Sequence, residues 1–262
     1  MQKVFLVLAG AASLFMTVQT FAAGFSVSVI ETEDQRCITS DGLPEHEAGG
    51  GAHGAQAIAQ TFCLPRDPVK SHRPSESAAI IGILLNGVIV RPSTAEFYDP
   101  SAPRGFSRNR SSGWRLDALG NPEIFRVDAN NGHADRRGLY HYHGMPAALI
   151  PTGQDTMIGY AADGHEIHYA GEQARSSYVL KSGLRPSGPG GPYDGTYDED
   201  YAYVAGAGSL DECNGAMVDG AYIYFATDTY PYFQRCHFGK VSDDFVQKGP
   251  RGGNRPTRVG RP

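Results

Sequence analysis

Two histidines alternate with two tyrosines in Gly138-Leu139-Tyr140-His141-Tyr142-His143-Gly144. Successive strand residues point to opposite faces, so His141 and His143 share one side and Tyr140 and Tyr142 the other. Tyrosine favours strands, and the flanking glycines punctuate them. Two imidazoles on one face of a strand start about 6.6 Å apart, twice the rise per residue, and can lean onto one metal ion. A third histidine, His133, lies just upstream, after an Asn130-Asn131-Gly132 turn. Three imidazoles from a turn and a strand match the open, three-ligand arrangement of zinc sites. Neutral imidazoles suit Zn²⁺ or Cu²⁺. Ligand histidines must be neutral, so affinity is expected to fall below about pH 6.5. Asp163, Asp211 and Glu212 are the carboxylates that could complete or support such a site.

Other chemistries fit less well. No G-x-S-x-G nucleophile elbow and no phosphate-binding P-loop occurs in the sequence. His165-Glu166-Ile167-His168 is one residue short of H-E-x-x-H, and a strand would turn its two histidines apart. Asp194, Asp198 and Asp200 form an acidic loop that could attract Ca²⁺, but they do not follow the twelve-residue EF-hand pattern. His46 and His53 stand among glycines in a turn-rich loop and read as solvated. A histidine brace built on the amino terminus is disfavoured, because export processing would leave no histidine there.

The elements that must position the histidines are strands. The chain has 262 residues, 40% of them hydrophobic, enough for a core in one or two domains. Its 33 glycines, 17 prolines and 14 tyrosines favour turns and strands over helices. Ile80–Leu85 and Val88–Arg91 flank Asn86-Gly87, the pattern of a type I′ hairpin. Met157–Ala161 and Glu166–Tyr169 flank Asp163-Gly164 in the same way. Phe25–Ile30, Gln56–Leu64, Ile124–Val127, Ser176–Lys181, Tyr197–Val204 and Gly220–Phe225 read as further strands, with another short segment at Tyr230–Phe233. Trp114 with Leu116–Leu119 reads as a short helix. The Gly-x-Tyr-x-Tyr pattern at Gly138 recurs at Gly220-x-Tyr222-x-Tyr224, with Ile223 and Phe225 in place of the histidines. The expected fold is therefore mainly β: one domain of short antiparallel strands, sandwich-like, with long loops.

The ends of the chain suggest export. Lys3, an apolar stretch from Val4 to Val18 and small residues around Ala22 read as a signal peptide over residues 1–22. The β domain then spans 23–246, and residues 247–262 read as a disordered basic tail. A secreted or periplasmic setting suits Cys37, Cys63, Cys213 and Cys236 as disulfides. Four cysteines allow three pairings; neighbours in sequence, Cys37 with Cys63 and Cys213 with Cys236, are the simplest. Each would close a loop contributing roughly 3 kcal/mol. A net charge of −5 argues against a nucleic-acid partner, and no apolar run long enough to span a membrane follows the signal. The open partners are a metal ion and an extracellular small molecule or glycan.

The motifs, taken together, resemble the YHYH-domain family of exported proteins. The matching residues are Asn86-Gly87-Val88, Glu96-Phe97, Asn131-Gly132-His133, the Gly138–Gly144 stretch, Gly159–Gly164, Ser176-Ser177-Tyr178, Leu210–Gly215, Tyr230-Pro231-Tyr232, Arg235-Cys236 and Gly239. The resemblance runs from about Ile80 to Gly239 and names no reaction. Family members commonly carry histidine in the second Tyr-x-Tyr strand, where this chain has Ile223, and an aromatic residue where it has His165. His165 could then stand in for the missing histidine. The activity expected is metal binding through the histidine cluster. The alternatives are a metal-dependent extracellular hydrolase, and a non-catalytic glycan- or protein-binding module that uses the tyrosine-rich strands.

Overall fold

The computed structural model describes residues 26–49, 54–76, 79–150 and 155–246. The signal-peptide and tail assignments, and His53, lie outside the described residues. The chain is mainly β, in several small sheets around one large one. The large sheet has eight strands in the order Gly132–Ala134, Tyr140–Tyr142, Ile89–Val90, Gly82–Leu84, Thr156–Ala161, Glu166–Tyr169, Ala221–Ala226, Gly215–Val218. This order reads as two four-strand units placed back to back. They meet where Gly82–Leu84 pairs antiparallel with Thr156–Ala161.

Each unit is assembled alike. A hairpin supplies the two inner strands, and a second hairpin supplies the two outer ones. The hairpins are joined by a parallel ladder, His141 opposite Ile89 in one unit and Ile167 opposite Tyr224 in the other. Most ladders are antiparallel, as expected; these two are parallel because long crossovers separate their strands. One crossover carries the small sheet of Ser93–Tyr98, Phe106–Ser107 and Arg115–Asp117, and the other carries the pair Tyr178–Leu180 and Tyr201–Tyr203.

The sequence echo is thus a structural repeat. Asp128 accepts hydrogen bonds from the Asn130 and Gly132 amides and the Tyr140 hydroxyl. Asp211 accepts them from the Cys213 and Gly215 amides and the Tyr222 hydroxyl. Asn131 and Asn214 both adopt the left-handed conformation, with φ of 58° and 59°. At Gly132 and at Gly215 a Cβ would overlap the hydroxyl of Tyr140 or Tyr222, so each position excludes any side chain. Asn86 donates to the Tyr142 hydroxyl, whereas Asp163 accepts from the Tyr224 hydroxyl.

The tyrosines face the main core. Tyr140, Tyr142, Tyr222 and Tyr224 are buried with Leu84, Val90, Ile158 and Phe233. On the opposite face, Ile83, Ile89 and Leu139 pack on Ile38, Phe62 and Leu64. These last three come from an antiparallel sheet of Val27–Glu31, Gln35–Ser40 and Gln60–Pro65. This sheet-on-sheet contact is the sandwich-like part of the fold. Disulfides join Cys37 to Cys63 and Cys213 to Cys236.

Several local expectations need correction. The Asn86-Gly87 hairpin has a three-residue loop, not a two-residue type I′ turn: the Gly87 amide bonds the Leu84 carbonyl, and only Gly87 has positive φ. The Asn86 side chain is occupied by the Val88 amide and Tyr142, which holds its backbone in the ordinary region. Arg115–Asp117 is a strand, not a helix, because Trp114 and Leu116 pack against Tyr197 while the backbone pairs with Ser93–Tyr98. Pro122–Phe125 is a one-turn helix where a strand was expected over Ile124–Val127. Proline at its first position explains the switch, since its φ is already helical and its missing amide is not needed there. No strand forms at Tyr230–Phe233.

Candidate metal centre

His133 and His141 are register partners on adjacent antiparallel strands, and His143 follows on the same face as His141. The three rings lean together, with centroids 4.7, 5.0 and 4.9 Å apart. Their ligand nitrogens all lie within 4.8 Å of one another. His141 and His143 are buried, whereas His133 is partly exposed and forms the open side.

Backbone carbonyls fix the tautomers. His133 Nδ1 bonds the Phe125 carbonyl, His141 Nδ1 the Leu139 carbonyl at 3.2 Å, and His143 Nδ1 the Pro92 carbonyl at 3.3 Å. A carbonyl can only accept, so each Nδ1 carries the proton and each neutral ring keeps a lone pair on Nε2. This carbonyl-oriented tautomer is the usual state of a metal-ligating histidine. His133 Nε2 and His143 Nε2 stand 3.2 Å apart. Two lone pairs at that distance repel unless a cation lies between them. Two nitrogens bound tetrahedrally to zinc, each at about 2.0 Å, are about 3.3 Å apart.

The electrostatics keep the rings neutral. Burial pushes all three imidazoles below the ordinary histidine value, His141 and His143 far below it. The Arg91 guanidinium adds to this at each ring, while Asp128 and Asp135 partly oppose it at His133. The three imidazoles therefore stay neutral to a lower pH than a free imidazole, whose value is about 6.5.

The supporting residues had no motif to announce them. Arg91 follows the strand Ile89–Val90 and pairs with Asp135 at 3.5 Å. The half-buried Arg235 bonds Ser93 Oγ at 2.8 Å and pairs with Asp117 and Asp198, anchoring the segment next to Pro92. Burial raises the Asp117 carboxyl to about 6.

The carboxylates proposed as further ligands lie elsewhere. Among the described residues the metal-competent group contains the three histidines alone. Asp163 is fully buried and takes the Tyr224 hydroxyl and the Gly239 amide. Asp211 holds its own turn, and Glu212 is exposed, its carbonyl accepting from Tyr178. Asp163 and Asp211 both serve the second Tyr-x-Tyr strand. Asp194 and Asp200 bind the Arg185 guanidinium and Asp198 pairs with Arg115 and Arg235, so cations of the protein already occupy the acidic loop.

The second unit repeats the frame without the histidines. Ala216 and Ile223 are register partners in the places of His133 and His141, and Phe225 takes the place of His143. With Ala174 and Leu210 they make an apolar cluster. His165 does not compensate for Ile223. It stands edge-on to Tyr222 and Tyr224, on the face opposite Ile223. His46 sits likewise on the first pair of tyrosines, its Nε2 2.9 Å from the Tyr142 hydroxyl. The four strand tyrosines are buried, so they form no exposed aromatic platform.

No helix among the described residues is long and apolar enough to cross a membrane. No curated protein and no solved structure matches the chain. The family model described as YHYH protein matches residues 61–239, which takes in both Tyr-x-Tyr strands and all three histidines. The histidine-bearing strand, its apolar counterpart and the frame around them therefore all fall within a chain that belongs to the YHYH protein family.

Proposed function

We propose that this is an exported protein that binds one transition-metal ion, Zn²⁺ or Cu²⁺, through Nε2 of His133, His141 and His143. The observation that carries this reading is the convergence of three imidazoles whose Nδ1 atoms all bond backbone carbonyls, with two Nε2 atoms 3.2 Å apart. An all-imidazole set favours zinc or copper over calcium, which takes oxygen ligands. Three protein ligands leave a fourth position for water or a small molecule on the His133 side. Export is supported by the two disulfides and by the apolar N-terminal stretch.

Elemental analysis of purified mature protein tests the metal. Wild type should carry close to one ion per chain after loading, and the His141→Ala, His143→Ala double variant close to none. Equal metal content in the two proteins, each shown to be folded, would end the proposal. N-terminal sequencing of exported material should begin near Ala23; a start at Met1 would reject the signal peptide.

A further inference from the structure

Segments that hold the histidines also reach a surface of different character. A cavity of about 350 Å³ is lined by Glu96, Arg104, Phe106, Arg108 and Arg136, among others. Two segments that hold the triad run on into it. Arg136 lies three residues beyond His133, past the Asp135 that pairs with Arg91. Glu96 stands in the strand that begins directly after Pro92, whose carbonyl holds His143. Arg91 is the link: its charge is felt at all three imidazoles, and it in turn feels Arg108 and Glu96.

The cavity carries an uncompensated positive charge. Three arginines and one glutamate line it, a balance of +2 in a chain whose net charge is −5. Glu96 is 3.8 Å from Arg108. Arg104 lies over the Phe106 ring at 4.5 Å. Neither Arg104 nor Arg136 has a carboxylate partner among the described residues. Like charges gathered around a concave wall raise the local concentration of anions. Guanidinium forks match the two oxygens of a carboxylate or phosphate, and Phe106 offers an apolar surface beside them.

We propose that this cavity binds a small molecule bearing an oxyanion, carboxylate or phosphate, held by Arg104, Arg108 and Arg136. Capture of the occupant by the arginines does not depend on the function proposed above.

The test uses metal-free wild-type protein at low ionic strength, titrated by calorimetry with inorganic phosphate and separately with benzoate. One site per chain is expected. The Arg104→Gln, Arg136→Gln double variant should bind at least about tenfold more weakly, the loss expected for a charge-assisted contact. Arg137→Gln, outside the cavity, should bind as wild type does. Tighter phosphate binding would assign a phosphoryl group, and tighter benzoate binding a carboxylate on an apolar body. Either supports the proposal. Absence of binding by both probes, or equal affinity in wild type and the double variant, overturns it. The His141→Ala, His143→Ala protein should retain anion binding, which separates failure of this inference from failure of the metal reading.

Discussion

Replacing His141 and His143 with leucine should remove a defined part of the pH dependence of folding, with no metal involved. Both imidazoles are buried and held far below the ordinary histidine value, chiefly by burial. In the unfolded chain each returns to about 6.5. The unfolded state therefore binds more protons, and stability falls as pH drops below about 6.5 towards the depressed folded value. Between pH 7.5 and 5.5 a ring that stays neutral in the native state loses about 1.4 kcal/mol relative to its protonated unfolded form. Two such rings give about 2.7 kcal/mol, a large share of the roughly 5–15 kcal/mol that holds a typical domain together. Urea unfolding of chelator-treated protein at the two pH values measures this. Wild type should lose about 2.7 kcal/mol more than the double variant on going from pH 7.5 to 5.5. His165 and His237, also depressed by burial, contribute equally to both proteins and cancel in the difference. Equal losses in wild type and variant would refute the claim that the triad folds as neutral imidazoles, and the ligand argument with it.

Three further outcomes follow from the frame around the site. Tyr142→Ala should destabilise the protein by about 3–5 kcal/mol in denaturant melts, because it empties a buried site and strips partners from Asn86 and His46; a loss below about 1 kcal/mol would show that the tyrosine face is not core. Cys213→Ala with Cys236→Ala should cost about 3 kcal/mol under oxidising conditions and nothing under reducing ones, given the sequence separation of 23; peptide mapping that joined Cys37 to Cys213 would contradict the pairing. Ala216→His, Ile223→His and Phe225→His together should raise metal content from one ion per chain to two, because these positions share the register of His133, His141 and His143; an unchanged ratio in protein that remains folded would refute the equivalence of the two units.

What the sequence displays depends on where each constraint resides. The alternation of His141 and His143 with Tyr140 and Tyr142 was legible because a strand sorts residues by parity, and one parity is core. The echo at Tyr222 and Tyr224 was legible for the same reason. Its frame residues Asp211, Asn214 and Gly215 repeat Asp128, Asn131 and Gly132 because the geometry admits few alternatives: left-handed asparagine, and glycine under a tyrosine hydroxyl. The frame role of Asp163 and Asp211 was not legible, because an acidic side chain looks the same as a ligand or as a hydrogen-bond acceptor. The carbonyls of Phe125, Leu139 and Pro92 were invisible, since a backbone acceptor has no letter of its own. Only the fold brings the Pro122–Phe125 turn under His133 and the Arg91-Pro92 corner against His143. The helix itself had a signal in Asn121-Pro122-Glu123, a polar residue before an N-terminal proline, which outweighs the β-branched pattern of Ile124–Val127. The difference between the two units therefore rests on three positions. With imidazoles in register, the frame presents three lone pairs to one point; with Ala216, Ile223 and Phe225 there, the same backbone closes over an apolar cluster. The tyrosine–aspartate frame accounts for the fold in both units, and the side chains on its opposite face decide whether a unit gathers imidazoles or an apolar cluster.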